Sequence, residues 1–336
     1  MTTRTVYLVH DGATLRREGE RLRVFVRRDL VKEFPARGLR QLVLMGNITL
    51  TPSALDLLVR RGVDVVLLSH RGRYRRRIVS GPSSNVALRM AQYRELSDPG
   101  RTLELARRFV HAKISNQRVL LLRHARRHPP TRGLLVARVA MKASLLRLDR
   151  ASTLDELRGA EGAAAASYFR SFDDLLRAPG FRFDGRNRRP PKDPVNALLS
   201  LGYTLLLNVV EAAVQVVGLD PYLGALHAPL SGRPSLVCDL VEELRAPVVD
   251  GLVLAAINKQ ALTPKDFEEQ PDGAPVVLPQ ETLRWFVTLF ERRVARGAHY
   301  APFGKRLSYR DIAGQQARKL ARDLLGEGEY AGFGLR

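Results

Sequence analysis

Residues 63–99 read VDVVLLSHRGRYRRRIVSGPSSNVALRMAQYRELSDP, and the spacing of apolar residues changes within them. Val63–Ser69 is a nearly continuous apolar run of strand length, which is typical of a strand buried on both faces. After Gly81-Pro82 the apolar residues recur about every 3.6 positions, as on one face of a helix. The stretch therefore predicts an α+β protein, with a small β-rich N-terminal domain over residues 1–82 and a larger all-α domain over residues 83–336.

Outside this stretch, short apolar runs bounded by turn residues predict the rest of the β domain. The predicted strands are Thr5–Val9, Ala13–Glu18, Arg21–Val26 and Gln41–Met45, and a further hairpin is predicted at Arg73–Val79. Gly19-Glu20 separates the second strand from the third, which predicts that these two form a hairpin. Thr51 is a predicted helix N-cap, because Pro52 follows it at the first helical position.

Downstream, helical spacing continues almost to the end of the chain. Predicted helices cover Asn85–Leu96, Pro99–Arg127, Gly133–Arg147, Leu154–Leu176, Val195–Gly218, Pro234–Arg245, Pro247–Asn258, Gln280–Arg296 and Tyr309–Leu325. The segment Ala197–Leu219 is apolar enough for a membrane span, but Asn208, Glu211 and Gln215 lie well inside it. A charge there would be costly in lipid, so we interpret the segment as a buried helix and predict no membrane association.

The basic residues are distributed unevenly along the 336-residue chain, which contains 55 Lys and Arg against 34 Asp and Glu. Residues 1–150 hold 32 basic and 11 acidic side chains, whereas residues 151–336 hold 23 of each. Such a surplus attracts a polyanion, and the release of counterions favours binding to nucleic acid. The alternative is a basic surface that is merely solvated, in a proteome rich in Arg.

Cys238 is the only cysteine, which excludes an internal disulfide framework and a cysteine-based zinc site. A single cysteine agrees with a reducing compartment, and the first residues contain no apolar run long enough for a signal peptide. The sequence therefore predicts a cytoplasmic location. Cys238 itself is expected to be a small buried apolar group.

The neutral part of the chain contains three residues that could form a metal site. Asp239 and Glu242 are three positions apart, so on a helix their carboxylates lie on the same face about one turn apart. His227 lies upstream in a loop rich in Gly and Pro. Two carboxylates and one imidazole suit Mg²⁺ or Mn²⁺. The alternative is a solvated acidic face and a histidine that titrates in water.

Glu161 is a further acidic candidate, because it lies in the middle of an Ala-rich helix that neighbours can approach closely. Tyr168 is two turns further on and would share the same helix face. The alternative is a glutamate that simply faces solvent.

Several segments, taken in order, resemble one protein family. The N-terminal matches are GNITLT (46–51), RGVDVVLLSHRGRY (61–74) and KISNQRVLLLR (113–123), and the helical matches are EGAAAASYF (161–169), DPVNALLSLGYTLL (193–206), GLDPYLGALH (218–227), SLVCDLVEELR (235–245) and VVDGLVLAAIN (248–258). The sequence is similar to the CRISPR-associated integrase of the spacer-acquisition step, which is also described as a metal-dependent DNA endonuclease. The resemblance extends from about Val6 to Leu325.

The resemblance implies a ligand set and a reaction. Glu161, His227 and Glu242 match the family's ligands for a divalent ion, Mg²⁺ or Mn²⁺, and Asp239 matches an acidic position beside it. In the implied transesterification, a 3′-hydroxyl of a captured foreign DNA fragment attacks a phosphodiester at the edge of a CRISPR repeat. The metal lowers the pKa of that hydroxyl or polarises the phosphoryl oxygen. His227 is either a ligand or a general acid, and both roles stay open.

DNA binding requires a cationic surface besides the metal site. The first candidate is the helix Arg107–Arg127, and the second is the Arg-rich loop Phe181–Pro194. The residues predicted to contact phosphates are Lys113, Arg118, Arg123, Arg126 and Arg127 on the helix, and Arg186, Arg188 and Arg189 in the loop. The resemblance adds Tyr168 and Asn196, which match positions near the active site that position DNA.

The resemblance also implies partners. They are double-stranded DNA, as foreign fragment and as CRISPR repeat, a second copy of the chain joined through the β domain, and a small ferredoxin-like adaptation protein. Two rival functions remain open. A general metal-dependent repair nuclease would use the same site but cut without joining, and a non-catalytic DNA-binding protein would need no metal.

Overall fold

The computed structural model describes residues 4–70, 72–79, 85–187, 190–268 and 276–335. The chain forms two compact units. The first comprises Met1–Pro82 and Val277–Val287, and the second comprises Ser83–Val276 and Thr288–Arg336. The predicted boundary at Gly81-Pro82 lies outside the described residues. The segment Val277–Val287, which the sequence analysis assigned to the helical domain, belongs to the first unit.

The N-terminal segment of the first unit consists of strands and a short helix. These elements are β1 (Arg4–Leu8), β2 (Ala13–Glu18), β3 (Arg21–Val26), β4 (Asp29–Pro35), β5 (Leu39–Met45), β6 (Thr49–Leu50), α1 (Pro52–Arg60), β7 (Asp64–Leu68) and β8 (Tyr74–Ile78). One sheet has the order β1-β5-β7-β8, with β8 antiparallel to the three parallel strands. The other sheet has the order β4-β3-β2-β6. Apolar side chains of both sheets and of α1 form one core.

The local signals in this unit correspond closely to the structure. β2 and β3 form the predicted hairpin, with Glu18 opposite Arg21. The Thr51 side chain accepts a hydrogen bond from the N–H of Ala54 and caps α1. The hairpin predicted at Arg73–Val79 is formed by β8 together with β7. β4 was not predicted, because its first four residues are exposed and carry no apolar alternation.

The second unit is built mainly from helices. Its elements are α2 (Val86–Ser97), α3 (Pro99–Arg127), α4 (Arg132–Arg150), α5 (Leu154–Arg170), α6 (Pro194–Val217), α7 (Ser235–Leu244), α8 (Gly251–Asn258), the C-terminal part of α9 (Gln280–Ala295), β9 (Gly297–Tyr300), β10 (Lys305–Ser308) and α10 (Tyr309–Leu324). A π-helical turn, Arg245–Asp250, joins α7 to α8. Turns of this kind are frequent at functional sites.

The prediction of an all-α second domain is wrong at one place. β9 and β10 form a two-stranded antiparallel sheet, with Tyr300 opposite Lys305 and Gly297 opposite Ser308. Each strand has only four residues, which is too short for an alternating pattern to be recognised in the sequence. Gly304, with φ 62°, lies in the connection between them.

α6 has the length and hydropathy of a membrane span, but 72% of its most apolar 18-residue window is buried. Asn208 and Glu211 are 2% and 4% exposed, so the polar positions of the helix are also packed. The Asn208 amide donates to the Thr204 carbonyl one turn earlier. This burial supports the interpretation of α6 as a core helix.

Candidate active site

Glu161 lies in the first half of α5, which begins at Thr153, whose side chain accepts a hydrogen bond from the N–H of Glu156. Ala160 and Ala164 are buried on the same helix, so neighbouring helices can approach it closely, as predicted. The Glu161 side chain is 23% exposed and forms an ion pair with the ammonium group of Lys113 on α3. Glu161 is therefore not a solvated glutamate.

Glu242 lies on α7 with only 3% of its side chain exposed. Its Oε2 atom is 2.7 Å from Lys113 Nζ, and its Oε1 atom is 2.8 Å from Arg245 Nη1. Burial alone would raise the pKa of this carboxyl, but the charges of Arg245 and Lys113 lower it to about 2. Glu242 is thus ionised at neutral pH. Glu242 and Glu161 both contact the same ammonium group, that of Lys113.

Asp239 is fully buried and fixes the loop that carries His227. Its carboxylate accepts hydrogen bonds from the N–H groups of Ala225, Leu226 and His227 at 2.6–3.0 Å. It also lies 2.6 Å from His227 Nδ1. Gly224 is required here, because a Cβ atom would come within 2.6 Å of the Asp239 carboxylate. Burial raises the pKa of Asp239, and the bonds from His227 oppose that rise.

The role of Asp239 therefore differs from that of Glu242, although both were predicted on one helix face. The oxygens of Asp239 are occupied by the loop, so it is placed to orient His227. With Nδ1 held by Asp239, Nε2 is the His227 nitrogen that is left for a ligand or a proton. The charge of His227 also contributes to the low pKa of Glu242, after those of Arg245 and Lys113.

The donor set suits a hard divalent cation, because it combines two carboxylates with an imidazole. Glu242 Oε2 is buried, and its contact with Lys113 Nζ at 2.7 Å is one of the interactions that lower the pKa of Glu242. Within the described ranges, no three His, Cys, Asp or Glu side chains are arranged to bind one ion together. Lys113 lies at the place where Glu161 and Glu242 meet.

Lys113 corrects one prediction of the sequence analysis. It was assigned to the phosphate-binding face of α3, but it is 7% exposed and lies among the buried residues of that helix. Its partners come from α5 and α7. Helical spacing could have indicated this, because Phe109, Val110 and Gln117 share the buried side of α3 with Lys113.

Arg245, which contacts Glu242, belongs to a network of aromatic and charged side chains. The Arg245 guanidinium lies 5.0 Å from the centre of the Tyr203 ring. The Tyr203 and Tyr168 hydroxyls donate to the two oxygens of Asp250 at 2.5 and 2.7 Å. Burial raises the pKa of Asp250 to about 6, although both hydrogen bonds lower it. Arg245, Tyr203 and Asp250 were not predicted as site residues, although an aspartate within the apolar run VVDGLVL is a usable signal.

Tyr168 was predicted to position DNA, but the side chain is fully buried and its hydroxyl is used by Asp250. Asn196 is also fully buried: its Nδ2 atom donates to Gly185 and Asp193, and its Oδ1 atom accepts from Asn187 and Arg186. Both residues therefore act inside the unit, and neither reaches DNA directly in this conformation.

The predicted phosphate contacts fall into three groups. Arg186 is half-buried, donates to Asn196 and to Ser200 Oγ, and lies over the Tyr203 ring, so it holds the loop to α6. Arg188 and Arg189 lie outside the described residues. On α3, Arg118 is half-buried, whereas Arg123, Arg126 and Arg127 are exposed near the C-terminal end of the helix. These three exposed residues stay candidates for contact with DNA.

The sequence matches the family described as "CRISPR associated protein Cas1" over residues 6–292. It is 40% identical to CRISPR-associated endonuclease Cas1 3 of Thermus thermophilus, and the alignment covers 98% of this chain and 97% of the relative. A CRISPR-associated endonuclease Cas1 1 of Chlorobaculum tepidum is 36% identical, with 96% and 95% of the two chains covered.

The chain belongs to the Cas1 family.

Two solved structures with the same fold agree with this assignment. A casposase bound to its integration product superposes with a TM-score of 0.86 at 25% identity, covering 98% of this chain and 92% of the casposase. A Cas1 protein of Thermotoga maritima superposes with a TM-score of 0.83 at 24% identity, covering 98% and 100%. The mixed fold, with a strand-rich N-terminal part and a helical C-terminal part, is therefore that of Cas1 proteins.

These matches confirm the family, the enzyme class and the function that the resemblance implied. This Cas1 protein is a CRISPR-associated DNA endonuclease and integrase of spacer acquisition. The interpretation as a non-catalytic DNA-binding protein is accordingly wrong. The residues that carry out the reaction, and the ion that they bind, are separate questions.

Proposed function

We propose that Glu161, His227 and Glu242 bind Mg²⁺ or Mn²⁺ and that this site joins the 3′-hydroxyl of a foreign DNA fragment to a CRISPR repeat. The observation that carries the proposal is the convergence of Glu161 and Glu242 on one buried position. The two residues come from different helices, and Asp239, one turn before Glu242 on α7, holds Nδ1 of His227 at 2.6 Å. Bound there, the ion supplies a Lewis acid for phosphoryl transfer.

The reaction conserves the number of phosphodiester bonds. The attacking 3′-oxygen forms a new bond to phosphorus and loses its proton, while the bond from phosphorus to the 3′-oxygen of the repeat backbone breaks. The leaving oxygen takes up a proton. His227 is suited to carry this proton through Nε2, because Asp239 holds Nδ1 and fixes the ring. The same residue in the ligand role remains the alternative.

No protein nucleophile takes part in this scheme. Cys238 is the only thiol in the chain, and burial raises its pKa to about 11. A neutral thiol is a poor nucleophile. The site therefore works through orientation and charge, with Arg245 holding Glu242 and Asp239 holding His227.

The proposed partners are double-stranded DNA, a second copy of the chain joined through the β-rich unit, and a small ferredoxin-like adaptation protein. The casposase with a similar fold was solved with an integration product, and a similar fold occurs within a Cas6-RT-Cas1–Cas2 complex. The net charge of +21 supports a polyanionic substrate. We propose a cytoplasmic location, where the chromosomal array and a reduced cysteine are both expected.

The test compares Glu161→Gln and Glu242→Gln with Asp155→Asn, a control on α5 whose side chain is 93% exposed. Each protein is given a duplex with free 3′-hydroxyls, a repeat-containing plasmid, the adaptation partner and Mn²⁺. Both glutamine variants should lose about 100-fold or more of strand joining, since a dication-binding carboxylate is lost, while DNA binding changes little. Asp155→Asn should join DNA normally.

Joining that resists EDTA, or that survives Glu242→Gln, would refute the metal site. Cleavage of the plasmid without any joining would instead favour the repair nuclease over the integrase.

A further inference from the structure

Lys113 is an unusual residue for the middle of a packed helix. Its side chain is 9% exposed and lies on the buried face of α3, beside Ala112, Ile114 and Gln117. An ammonium group is expensive to bury unless anionic groups compensate it. The contacts of its ammonium group, rather than packing, therefore explain the buried position of Lys113.

The two anions that compensate Lys113 are Glu161 and Glu242, the carboxylates of the proposed metal site. Two carboxylates that lie this close repel each other unless a cation lies between them. In this structure that cation is Lys113 Nζ. The ammonium group thus supplies one positive charge between the two carboxylates that are proposed to bind the divalent ion.

Glu242 receives a different cation on each of its oxygens. Arg245 contacts Oε1 and is fixed in place by the ring of Tyr203, whereas Lys113 contacts Oε2. The lysine has a flexible four-carbon stem that ends in a compact ammonium group, whereas the planar guanidinium of Arg245 is packed against a ring. Lys113 is therefore the cation that can leave, and Arg245 is the cation that stays.

We propose that Lys113 is an internal counter-ion that holds Glu161 and Glu242 together in the metal-free protein and is displaced when a divalent cation binds. The inference rests on the proposed metal site. Metal binding is then an exchange of one cation for another, so the lysine weakens metal affinity while it stabilises the empty site. Exchange of this kind would keep Glu161 and Glu242 in place until a divalent cation binds.

A purely structural ion pair would behave differently. If Lys113 only held α3 to α5 and α7, its loss would lower the melting temperature equally with and without metal. If Lys113 is a displaceable counter-ion, its loss would destabilise the metal-free protein, and a divalent ion would restore the missing charge. The stabilisation by metal would then be larger in the variant than in the unaltered protein.

The experiment titrates Mn²⁺ into the full-length protein, Lys113→Met, Glu242→Gln and the control Lys142→Met by calorimetry, and measures thermal unfolding with and without Mn²⁺. Lys142 is exposed on α4, so the control removes the same charge away from the site. Lys113→Met should bind Mn²⁺ about ten-fold or more tightly than the unaltered protein, because a nearby like charge is removed. Its melting temperature should fall without Mn²⁺ and recover with it.

Equal or weaker Mn²⁺ binding by Lys113→Met would overturn the counter-ion proposal, provided that the unaltered protein shows Mn²⁺ binding that Glu242→Gln abolishes. Absence of any such Glu242-dependent binding, in the unaltered protein and in Lys113→Met alike, would overturn the metal site and the counter-ion together. If Lys113→Met does not fold in metal-free buffer, the proposal requires that Mn²⁺ restore folding, and failure to do so refutes it. Lys113→Gln, which shortens the stem but also removes the charge, should repeat the affinity change.

Discussion

Glu242 and Glu243 are neighbours on the same helix, both are buried, and their carboxyls behave in opposite ways. Glu242 meets Lys113 and Arg245, which lower its pKa to about 2 despite burial. Burial raises the pKa of Glu243 to about 7, because the groups that bind it are neutral. The fixed charges around a buried carboxyl, rather than its residue type or burial, decide whether it is ionised.

The neutral side of α7 attaches the C-terminal segment. Glu243 Oε2 accepts hydrogen bonds from the N–H of Phe333 at 2.7 Å, the hydroxyl of Tyr330 at 3.0 Å and the amide of Gln316 at 3.2 Å. Asn116, one turn after Lys113 on α3, donates to the carbonyls of Glu243 and Phe333. α3 therefore holds the reactive side of α7 with an ammonium group and the other side with an amide.

The largest expected effect comes from removing a charge on the Glu242 side. Arg245→Met leaves Glu242 with one cationic partner fewer and should lower the free energy of unfolding by about 3 kcal/mol, because a largely buried charge loses its partner. The pKa of Glu242 is depressed in the folded state, so the stability that it contributes is present above pH 4.5 and is lost as the pH falls towards 2. The difference in free energy of unfolding between Arg245→Met and the unaltered protein should therefore become smaller as the pH falls below 4.5.

Denaturant midpoints measured from pH 3 to pH 8 test this expectation. Arg60→Met is the matched control, because Arg60 pairs with Asp56 on the surface and both side chains are more than half exposed. Loss of this surface ion pair should lower the free energy of unfolding by only about a few tenths of a kcal/mol. A loss for Arg245→Met as small as that of the control would show that Lys113 alone lowers the pKa of Glu242.

A smaller effect of opposite sign is expected on the neutral side. The pKa of Glu243 is raised in the folded state, so its stabilising effect is complete below pH 4.5 and is lost as the pH rises through about 7. Glu243→Gln keeps an acceptor for the three donors but cannot ionise. Relative to the unaltered protein, this variant should gain about 2–3 kcal/mol between pH 4.5 and pH 7.5.

The same pH series of denaturant midpoints gives the measurement, and strand joining should remain within a few-fold of normal. A stability difference that does not change with pH would mean that Glu243 is ionised in the folded protein throughout.

The smallest of these effects comes from Tyr330→Phe. The substitution keeps the ring contact with Phe109 and removes the hydroxyl that donates to Glu243. We expect a loss of about 1 kcal/mol at pH 6 and more at pH 8, because a hydrogen bond to a charged acceptor is stronger than one to a neutral acceptor. Tyr93→Phe, which removes a hydroxyl bonded to Asp220 at the surface, is the control and should cost less. A loss that is equal at both pH values would contradict ionisation of Glu243 near neutral pH.

Most of the elements could be predicted because their signals are local. Thr51 and Pro52 mark the start of α1, the turn at Gly19-Glu20 joins β2 to β3, and helical spacing predicts α2 to α10. The predicted ends are close except that α5 ends at Arg170 rather than at Leu176. The misses, β4, the two-residue β6 and the β9–β10 pair, are strands with exposed or very short apolar patterns. Such strands are stabilised by the strand they pair with, which their own sequence does not specify.

Lys113 shows where local reasoning about the site ends. A lysine in an Arg-rich helix is most simply interpreted as a phosphate contact, yet it is buried between two carboxylates from other helices. Tyr168, Asn196 and Arg186 were predicted to contact or position DNA, but in the structure their polar groups bind other residues of the protein.

By itself, the sequence determined that a β-rich part precedes a helical part and that the chain is strongly basic. Through its resemblance to a family, it also indicated which acidic residues and which histidine could form the site. These properties depend on neighbouring residues or on composition, so they can be read along the chain. The tertiary structure alone decided which charges meet: Lys113 with Glu161 and Glu242, Asp239 with the His227 loop, and Glu243 with the C-terminal segment. The strength of an ionic interaction depends on distance and on exclusion of water, and both are fixed only when segments far apart in the sequence pack together.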